Sequence, residues 1–396
     1  MYRRKMMNIQ IPYEKYQEEL VRHRRHFHAW PELSMEEKET ADYVEQYLKD
    51  LGLETRRVGK YGVTAMVWAS EKIRNHCKTV GVRAEMDAIA VNEENDVPWK
   101  SQREGVMHAC GHDAIIAGGL VLAKLCVEDR DSLPVNVKFI FQPAEENGKG
   151  TQIMLDGGIM ENPTVDYFVM FHYVNDAKSG VELQRGASSA AIGSVKIKIQ
   201  GKASHWCNYD QGIDSIAAAK DVLQAVEEVN KNFKSASPFR LGIGTIKGGT
   251  AKNVVAGETI LEGSLRACRM EDYKEIRNLF LTTMEKIQTE SKVTLEAEID
   301  EYPVPPIIND DKMVDQGLIA GKKIWGEDCR LVTTEFLSGD SAAYYFDYAR
   351  GILFVFTAQQ DGMEQFPLHN GRFDINEEVL WKSVAVLHQF ILSLSY

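Results

Sequence analysis

Residues 135–146 read VNVKFIFQPAEE, an apolar run that ends abruptly in two adjacent glutamates. Short apolar runs of this kind predict buried strands, and three more occur at 63–68, 79–82 and 167–171. Helical stretches such as 114–128 alternate with them, which is typical of a mainly parallel sheet flanked by helices. The first half of the chain therefore predicts an α/β domain.

The pattern changes near residue 194. Strands are predicted at 195–199, 239–246, 259–267 and 293–299, and helices at 214–233 and 271–291. This β-α-β-β-α-β order predicts an inserted ferredoxin-like α+β domain. The α/β alternation then resumes with a helix at 311–325, a strand at 351–356 and a closing helix at 377–395. We predict one discontinuous domain over 1–186 and 300–396, interrupted by a second domain over 187–299.

Several local patterns carry further structural predictions. Residues 34–37 (SMEE) have the form of a capping box, so a helix is predicted over 34–51 with Gly52 as its stop. The basic run at 22–26 is typical of a solvated helix face. His388 lies among apolar residues of the closing helix and is predicted to be packed. Structural thiols are predicted at Cys77, Cys126, Cys268 and Cys329.

Composition argues against several classes of partner. The chain has 58 acidic and 46 basic residues, and its net charge of −12 opposes binding to nucleic acid. No apolar run approaches the roughly 20 residues that cross a membrane. The basic start, residues 1–7, is not followed by an apolar core, so no signal peptide is expected. The six cysteines lack paired spacing, which favours a reducing, cytoplasmic setting.

Candidate chemistry begins with Cys110 and His112, which lie two residues apart. A thiolate and an imidazole suit Zn²⁺ and similar ions, although a buried structural cysteine beside an incidental histidine fits the pair equally well. Glu145 and Glu146 follow a strand directly, where open α/β sheets form their sites. One carboxylate can bind a metal while the other accepts a proton from water, and the alternative is a solvated acidic loop.

Two histidines occupy comparable positions. His172 ends the apolar run 167–171, and His369 lies in the turn-rich segment PLHNG after the strand at 351–356. Each alone fits a structural histidine. Because the carboxyl ends of parallel strands meet at one edge of a sheet, a cysteine, a glutamate and three histidines placed there together predict a metal site.

Five motifs carry a family resemblance across nearly the whole chain: RHFHAWPELS at 25–34, HACGHD at 108–113, QPAEE at 142–146, FH at 171–172 and PLHN at 367–370. The chain resembles the metal-dependent amidohydrolases that include hippurate hydrolase, N-acyl-amino acid amidohydrolases and indole-acetyl-amino acid hydrolases. These enzymes belong to the aminoacylase and carboxypeptidase clan of metallopeptidases. The resemblance implies hydrolysis of the amide bond of a small N-acyl or N-aroyl amino acid.

The resemblance also implies roles for individual residues. Two divalent ions, zinc or manganese with cobalt or nickel as alternatives, would be held by Cys110, His112, Glu146, His172 and His369, with Cys110 bridging. Glu145 would be the general base that takes a proton from water. Asp87 would orient a ligand imidazole, unless it is a capping or solvated residue.

Residues 187–299 resemble the family's lid and dimerisation domain, which implies a homodimer and leaves 1–186 and 300–396 as the catalytic domain. His205 would stabilise the oxyanion. Asn253 and Arg266 would hold the substrate carboxylate, a role that suits a guanidinium, although a surface ion pair suits Arg266 equally well.

The chain departs from the family at a few positions, and two rival functions stay open. The family usually has Asp at Glu85, His at Ile115, Ala-Ala at 206–207 and Gly-Ser-Glu-Asp near 338–341. In one rival, Cys110 is a thiolate nucleophile activated by His112 and no metal takes part. In the other, the protein is a metal-binding scaffold without catalytic activity.

Overall fold

The structure is a computed structural model that describes residues 12–360, 362 and 364–394. The basic start and the predicted final helix residue, Ser395, lie outside them. The described helices are α1 (Gln17–Ala29), α2 (Lys38–Asp50), α3 (His112–Glu128), α4 (Lys149–Asp156), α5 (Ser215–Asn232), α6 (Met270–Ser291), α7 (Asp311–Trp325) and α8 (Val379–Ser393). Short 3₁₀ helices occur at Tyr13–Tyr16, Arg130–Ser132, Trp206–Gln211, Gly326–Asp328 and Ser341–Asp347.

The described strands, in chain order, are β1 (Thr55–Val58), β2 (Gly62–Val67), β3 (Thr79–Glu85), β4 (Asn136–Gln142), β5 (Tyr167–Val174), β6 (Gly180–Gln184), β7 (Gly186–Ala187), β8 (Ala191–Gln200), β9 (Ser204–His205), β10 (Phe239–Gly248), β11 (Val254–Val255), β12 (Glu258–Ala267), β13 (Thr294–Ile299), β14 (Ile308–Asn309), β15 (Cys329–Val332) and β16 (Arg350–Thr357).

Contacts divide the chain into two compact units. The first contains the described residues up to Arg185, Asn309–Val332 and those from Tyr345 onward, and the second contains Gly186–Ile308 and Thr333–Tyr344. This division differs from the predicted domain limits at residue 186, at 300–308 and at 333–344, which all join the second unit. Backbone hydrogen bonds explain the difference, because Ile192 bonds with Val304 and the Ala190 N–H donates to the Ser338 carbonyl oxygen.

The first unit contains an eight-stranded sheet in the order β1-β2-β4-β3-β5-β16-β6-β15. Four of its seven strand pairings are parallel, β4–β3, β3–β5, β5–β16 and β6–β15. All seven residues of β3 and of β4 are buried, as expected for central strands of a sheet that is covered on both faces. The predicted α/β class, with a mainly parallel sheet flanked by helices, is confirmed.

Helix α3 packs closely against this sheet. A Cβ added to Gly119 would lie 3.1 Å from the Ala84 Cβ and from a ring carbon of Phe141, so a larger residue there would push helix and sheet apart. Because α3 connects the parallel strands β3 and β4, its N-terminus faces the carboxyl ends of the strands. His112, its first residue, is thereby placed at the sheet edge.

The second unit contains a four-stranded antiparallel sheet in the order β10-β12-β8-β13. Helices α5 and α6 pack on one face of it, and β8 alternates between buried and less buried residues because its other face is more exposed. The chain order β8-α5-β10-β12-α6-β13 is the predicted β-α-β-β-α-β arrangement. Among the described residues, no helix combines the length and apolar composition needed to cross a lipid bilayer.

The capping box predicted at Ser34 and Glu37 is wrong. Helix α2 begins at Lys38, and the carboxylate of Glu32 accepts a hydrogen bond from the Thr40 N–H in its first turn (2.8 Å). Ser34 and Glu37 bond to other segments of the first unit instead. The sequence pattern of a capping box fits both arrangements, because the same polar atoms can satisfy tertiary partners.

Candidate metal centre

The predicted ligands reach one edge of the first unit's sheet from separate segments. Cys110 lies two residues before the start of α3, and His112 is its first residue, with Gly111 between them at φ +80°. Glu146 lies in the turn after β4, and His172 lies in β5 near its carboxyl end. His369 lies in the loop between β16 and α8 and has a φ of +66°.

The ligand atoms of these side chains form two groups that share one cysteine. Cys110, His112 and His172 form the first group, and Cys110, Glu146 and His369 form the second, with all ligand atoms in each group within 4.8 Å of one another. The Cys110 Sγ lies 3.6 Å from the His172 Nε2, and the Glu146 Oε1 lies 3.5 Å from the His369 Nε2. The structure thus brings all five residues together.

The residues present fit a pair of divalent cations. The Nε2 of His112 and the Oε1 of Glu146 are buried and have no hydrogen-bond partner. Buried polar atoms are rarely left unpaired, and a cation is one partner that satisfies an imidazole and a carboxylate at once. Cysteine, histidine and glutamate are the donor set that Zn²⁺ and related ions prefer.

The electrostatics of the group already favour a thiolate. Burial opposes its charge, but the imidazoles of His112 and His172 hold the pKa of the Cys110 thiol at about 6. Burial also opposes charge on His112, yet Cys110 and Asp87 raise its pKa well above the usual value. Since a metal binds neutral imidazole and thiolate, ion binding would release protons from the histidines.

The carboxylate of Asp87 binds the backbone of both glutamates. Its Oδ1 and Oδ2 accept hydrogen bonds from the backbone N–H groups of Glu145 (3.1 Å) and Glu146 (3.0 Å). The imidazole of His112 donates from Nδ1 to the backbone carbonyl oxygen of Asp87 (2.8 Å), and the carboxylate lies farther away, at 3.5 Å. This bond leaves the His112 Nε2 lone pair directed at the ligand group.

Glu145 lies beside the ligands. Its carboxylate joins His112 and Glu146 in a third group whose atoms all lie within 4.8 Å of one another. Of these two neighbours in one turn, Glu146 belongs to the ligand group of Cys110 and His369, and the Glu145 carboxylate lies next to that group.

The remaining predicted site residues belong to the second unit. His205 is exposed in β9, and its Nδ1 accepts from the Cys207 N–H (3.2 Å). Asn253 lies just before β11, which pairs with β9, and its carbonyl oxygen accepts from the Trp206 N–H (3.2 Å). Arg266 lies in β12 and donates from Nη1 to the Leu337 carbonyl oxygen (2.9 Å).

Sequence reasoning missed a buried ionic network next to the centre. The prediction of a solvated helix face at 22–26 is wrong for Arg24, which is 1% exposed and donates to Asp113, Asp374 and Glu377. His28 bonds to Asp113 (2.8 Å) and to Glu93 (3.0 Å). Asp113 directly follows His112, so its place in the HACGHD motif was the available signal. The predicted packing of His388 is confirmed, since it is fully buried.

Comparison with known sequences gives a consistent result. A model of Peptidase family M20/M25/M40 matches residues 81–393. The N-acetyl-L-cysteine deacetylase of Bacillus subtilis (strain 168) is 29% identical over 376 residues, covering 94% of this chain and 87% of that protein. A Synechocystis protein named only as a hydrolase is 30% identical over 373 residues, covering 93% of each.

Comparison with solved structures agrees. A protein from methicillin-resistant Staphylococcus aureus, classed provisionally as an aminohydrolase, has a TM-score of 0.88 at 27% identity, covering 96% of this chain and 97% of that one. A Bacillus subtilis protein described as a dinuclear metal-binding peptidase of the M20 family has a TM-score of 0.81 at 25% identity, covering 96% and 98%.

These matches confirm the resemblance drawn from the sequence motifs and the predicted class of enzyme, an amidohydrolase of the metallopeptidase clan. The family model covers far more than half of the chain, and it includes every segment that carries a predicted ligand. The chain belongs to Peptidase family M20/M25/M40.

Proposed function

We propose that the protein hydrolyses the amide bond of N-acyl or N-aroyl amino acids, releasing a carboxylic acid and an amino acid, with two divalent metal ions. The observation that carries the proposal is the pair of ligand groups sharing Cys110, with the carboxylate of Glu145 beside them. The deacetylase activity named for the Bacillus subtilis relative supports this class of substrate, and the dinuclear centre named for another relative supports two ions.

Each ligand group would hold one ion. Cys110, His112 and His172 would bind the first, and Cys110, Glu146 and His369 would bind the second, so Cys110 would contribute to both. Two bound ions would polarise a carbonyl oxygen and lower the pKa of water. Zinc or manganese suits this mixture of sulfur, nitrogen and oxygen ligands, and cobalt or nickel are alternatives.

The protein's own residues would move the protons and hold the substrate. Glu145 takes a proton from the attacking water and gives it to the leaving nitrogen, since its carboxylate lies within reach of the ligand groups. His205 would stabilise the oxyanion, and Asn253 and Arg266 would bind the substrate carboxylate. Asp87 fixes the backbone of Glu145 and keeps the general base in place.

A metal-free thiol hydrolase is the rival that one observation favours, because the lowered pKa of Cys110 would also suit a nucleophile. Chelation separates the two. Under our proposal a chelator abolishes hydrolysis of acetyl, benzoyl, indole-acetyl and aminobenzoyl amino acids, and added zinc, manganese, cobalt or nickel restores it. Undiminished hydrolysis after chelation would support the thiol mechanism and contradict ours.

We also propose that residues 187–299 form a lid and dimerisation domain. β10 is an edge strand of the four-stranded sheet, and such edges readily pair with another chain. Ile246 of β10 and Ile216 and Leu223 of α5 are 51%, 50% and 38% exposed, and they line one groove together with charged residues such as Lys220 and Glu227. Burying this apolar surface against a second copy would stabilise a dimer.

Measurement of the molar mass in solution tests the dimer. We expect a homodimer for the wild type, and a monomer for Ile246→Lys because the substitution puts a charge into the apolar contact. Ile319→Lys, at a residue of α7 that is 58% exposed, is the matched control and should stay dimeric. A monomeric wild type, or an Ile246→Lys dimer, contradicts the proposal.

A further inference from the structure

Three consecutive backbone N–H groups in the turn after β4 are each bound by a buried carboxylate. Asp87 accepts from Glu145 and Glu146, and Glu37 accepts from the Ala144 N–H through Oε1 (2.7 Å). Glu37 is fully buried, and so is Ala144. The turn that carries the general base is thus held by two acidic side chains, and only Asp87 has a role in the proposed function so far.

Ala144 has an unusual backbone conformation. Its φ is +52°, in the left-handed region that residues other than glycine rarely adopt. Such a conformation persists only where surrounding contacts enforce it. The Glu37 carboxylate accepts from the N–H of this residue, and the Ala144 carbonyl oxygen accepts from the Gly150 N–H (2.9 Å). Both backbone polar groups of Ala144 are therefore hydrogen-bonded.

We propose that Glu37 is a positioning residue for the general base, because its carboxylate fixes the left-handed turn at Ala144 that directs Glu145 toward the ligand groups. This inference rests on the proposed role of Glu145. Ser34, three residues earlier, donates from Oγ to the Asp87 Oδ2 (2.6 Å) and so supports the second carboxylate. The segment that resembles a capping box therefore supports the catalytic turn instead of the start of α2.

A role in helix capping does not explain Glu37. Its side chain makes no capping bond to α2, where Glu32 supplies the acceptor for the Thr40 N–H. Its Oε2 is buried and makes no hydrogen bond, and its Oε1 accepts from the Ala144 N–H of the turn. Burial raises the pKa of Glu37 to about 7, so the contribution of its charge to the turn has to be tested separately from its reach.

Two substitutions separate reach from charge. Glu37→Gln keeps an acceptor oxygen at the same distance from the backbone but removes the charge. Glu37→Asp keeps the charge but is one methylene shorter and cannot reach the Ala144 N–H. We expect Glu37→Gln to retain kcat within about threefold, and Glu37→Asp to lose about 10- to 100-fold in kcat with KM and metal content nearly unchanged. Glu36→Gln and Glu36→Asp, at the exposed neighbouring residue, are the matched controls.

Amide hydrogen exchange of the metal-free protein gives a second readout that does not depend on turnover. The Ala144 N–H should exchange slowly in the wild type and in Glu37→Gln, and at least about tenfold faster in Glu37→Asp because its acceptor is withdrawn. This measurement also applies if the shorter side chain lowers stability, since exchange elsewhere in β4 reports global unfolding.

The outcomes distinguish this proposal from the proposed function. Wild-type kcat and slow Ala144 exchange in Glu37→Asp, or equal losses in Glu37→Asp and Glu37→Gln, overturn the positioning role. Loss of metal from Glu37→Asp also overturns it, because the effect would then pass through the ligand Glu146. An inactive wild type, or an active Glu145→Gln variant in the same series, contradicts the proposed function and leaves the exchange result to decide on Glu37.

Discussion

Two buried polar groups lie side by side in the first unit, and they differ in how their polar atoms are paired. In the network around Arg24, the guanidinium donates to three carboxylates, and both nitrogens of His28 have carboxylate partners. In the ligand cluster, the Nε2 of His112 and the Oε1 of Glu146 are buried and make no hydrogen bond. Both groups are dense in charge. The first pairs cations with carboxylates and leaves the Asp113 Oδ1 without a hydrogen bond, whereas the second has donor atoms in groups that could hold a metal ion.

Comparing the network with the ligand cluster shows which feature distinguishes a binding site from other buried charged groups. Shifted pKa values occur in both groups, since burial is outweighed by Asp113 and Glu93 in raising the pKa of His28 to about 9. A shifted pKa therefore does not separate a structural network from a site. The ligand cluster differs from the network because its donor atoms lie within 4.8 Å of one another, in groups that could hold a metal ion. Substitutions in the ligand cluster should therefore lower metal content and activity, whereas substitutions in the network around Arg24 should lower the stability of the fold.

The largest effect is expected for Cys110→Ser. Cys110 belongs to both ligand groups, and serine is not ionised at neutral pH, so both ions should be lost or weakly held. We expect hydrolysis to fall about 1,000-fold or more, since a metal supplies several kcal/mol of transition-state stabilisation. Cys126→Ala, at a buried thiol within α3, should keep its metal and its kcat. Metal analysis and steady-state kinetics check both, and a fully metallated, active Cys110→Ser would contradict the bridging role.

The next effect is expected for Arg24→Met, and it concerns stability. The substitution removes the guanidinium from the buried Asp113 and from the partly exposed Asp374 and Glu377. Loss of a buried ion-pair partner typically costs about 3–5 kcal/mol, and we expect the lower end of this range because His28 still contacts Asp113 and Arg25 still contacts Glu377. Urea unfolding of the metal-free protein measures it. Arg22→Met, at a side chain that is 67% exposed, should change stability by no more than about 0.5 kcal/mol. Equal stabilities of the two variants would show that the network is not needed by the fold.

A smaller effect should appear in the pH dependence of His28→Gln. Because the folded pKa of His28 is raised from 6.5 to about 9, its stabilising contribution is complete below pH 6.5 and is lost as the pH rises through 9. The stability difference between the wild type and His28→Gln should therefore shrink by up to about 3 kcal/mol across this range. His76→Gln, at an exposed histidine, is the control. A difference independent of pH would mean that His28 is neutral in the fold.

Much of the fold could be predicted because its central strands contain short apolar runs that are recognisable in the sequence. β3, β4 and β5 each contain a short apolar run that is buried, and Glu145, Glu146 and His172 follow the runs of β4 and β5, so this part of the sheet edge follows from the pattern. The insertion limits could not be placed, since residues 333–344 join the second unit through tertiary bonds such as Ala190 to Ser338. Such bonds leave no periodic signal in the sequence.

The supporting residues of the site were the part that sequence reasoning misread. Glu37 and Ser34 match a local motif, but their partners lie about 107 and 53 positions away along the chain. Arg24 lies in a basic run, which most often means a solvated face, and is instead enclosed by acidic residues from α3 and from the segment before α8. Local patterns predict which residues can bond, and the tertiary fold decides to what.

In the proposed mechanism, Glu145 acts as the general base beside a two-ion centre. Measuring the metal content and the turnover of Glu145→Gln and of the wild type tests this role. We predict two ions per chain in both proteins and a loss of about 100- to 10,000-fold in kcat for the variant, because general acid–base catalysis contributes on that scale. A Glu145→Gln protein that turns over N-acyl amino acids at the wild-type rate, or a fully active wild type without bound metal, would contradict the account.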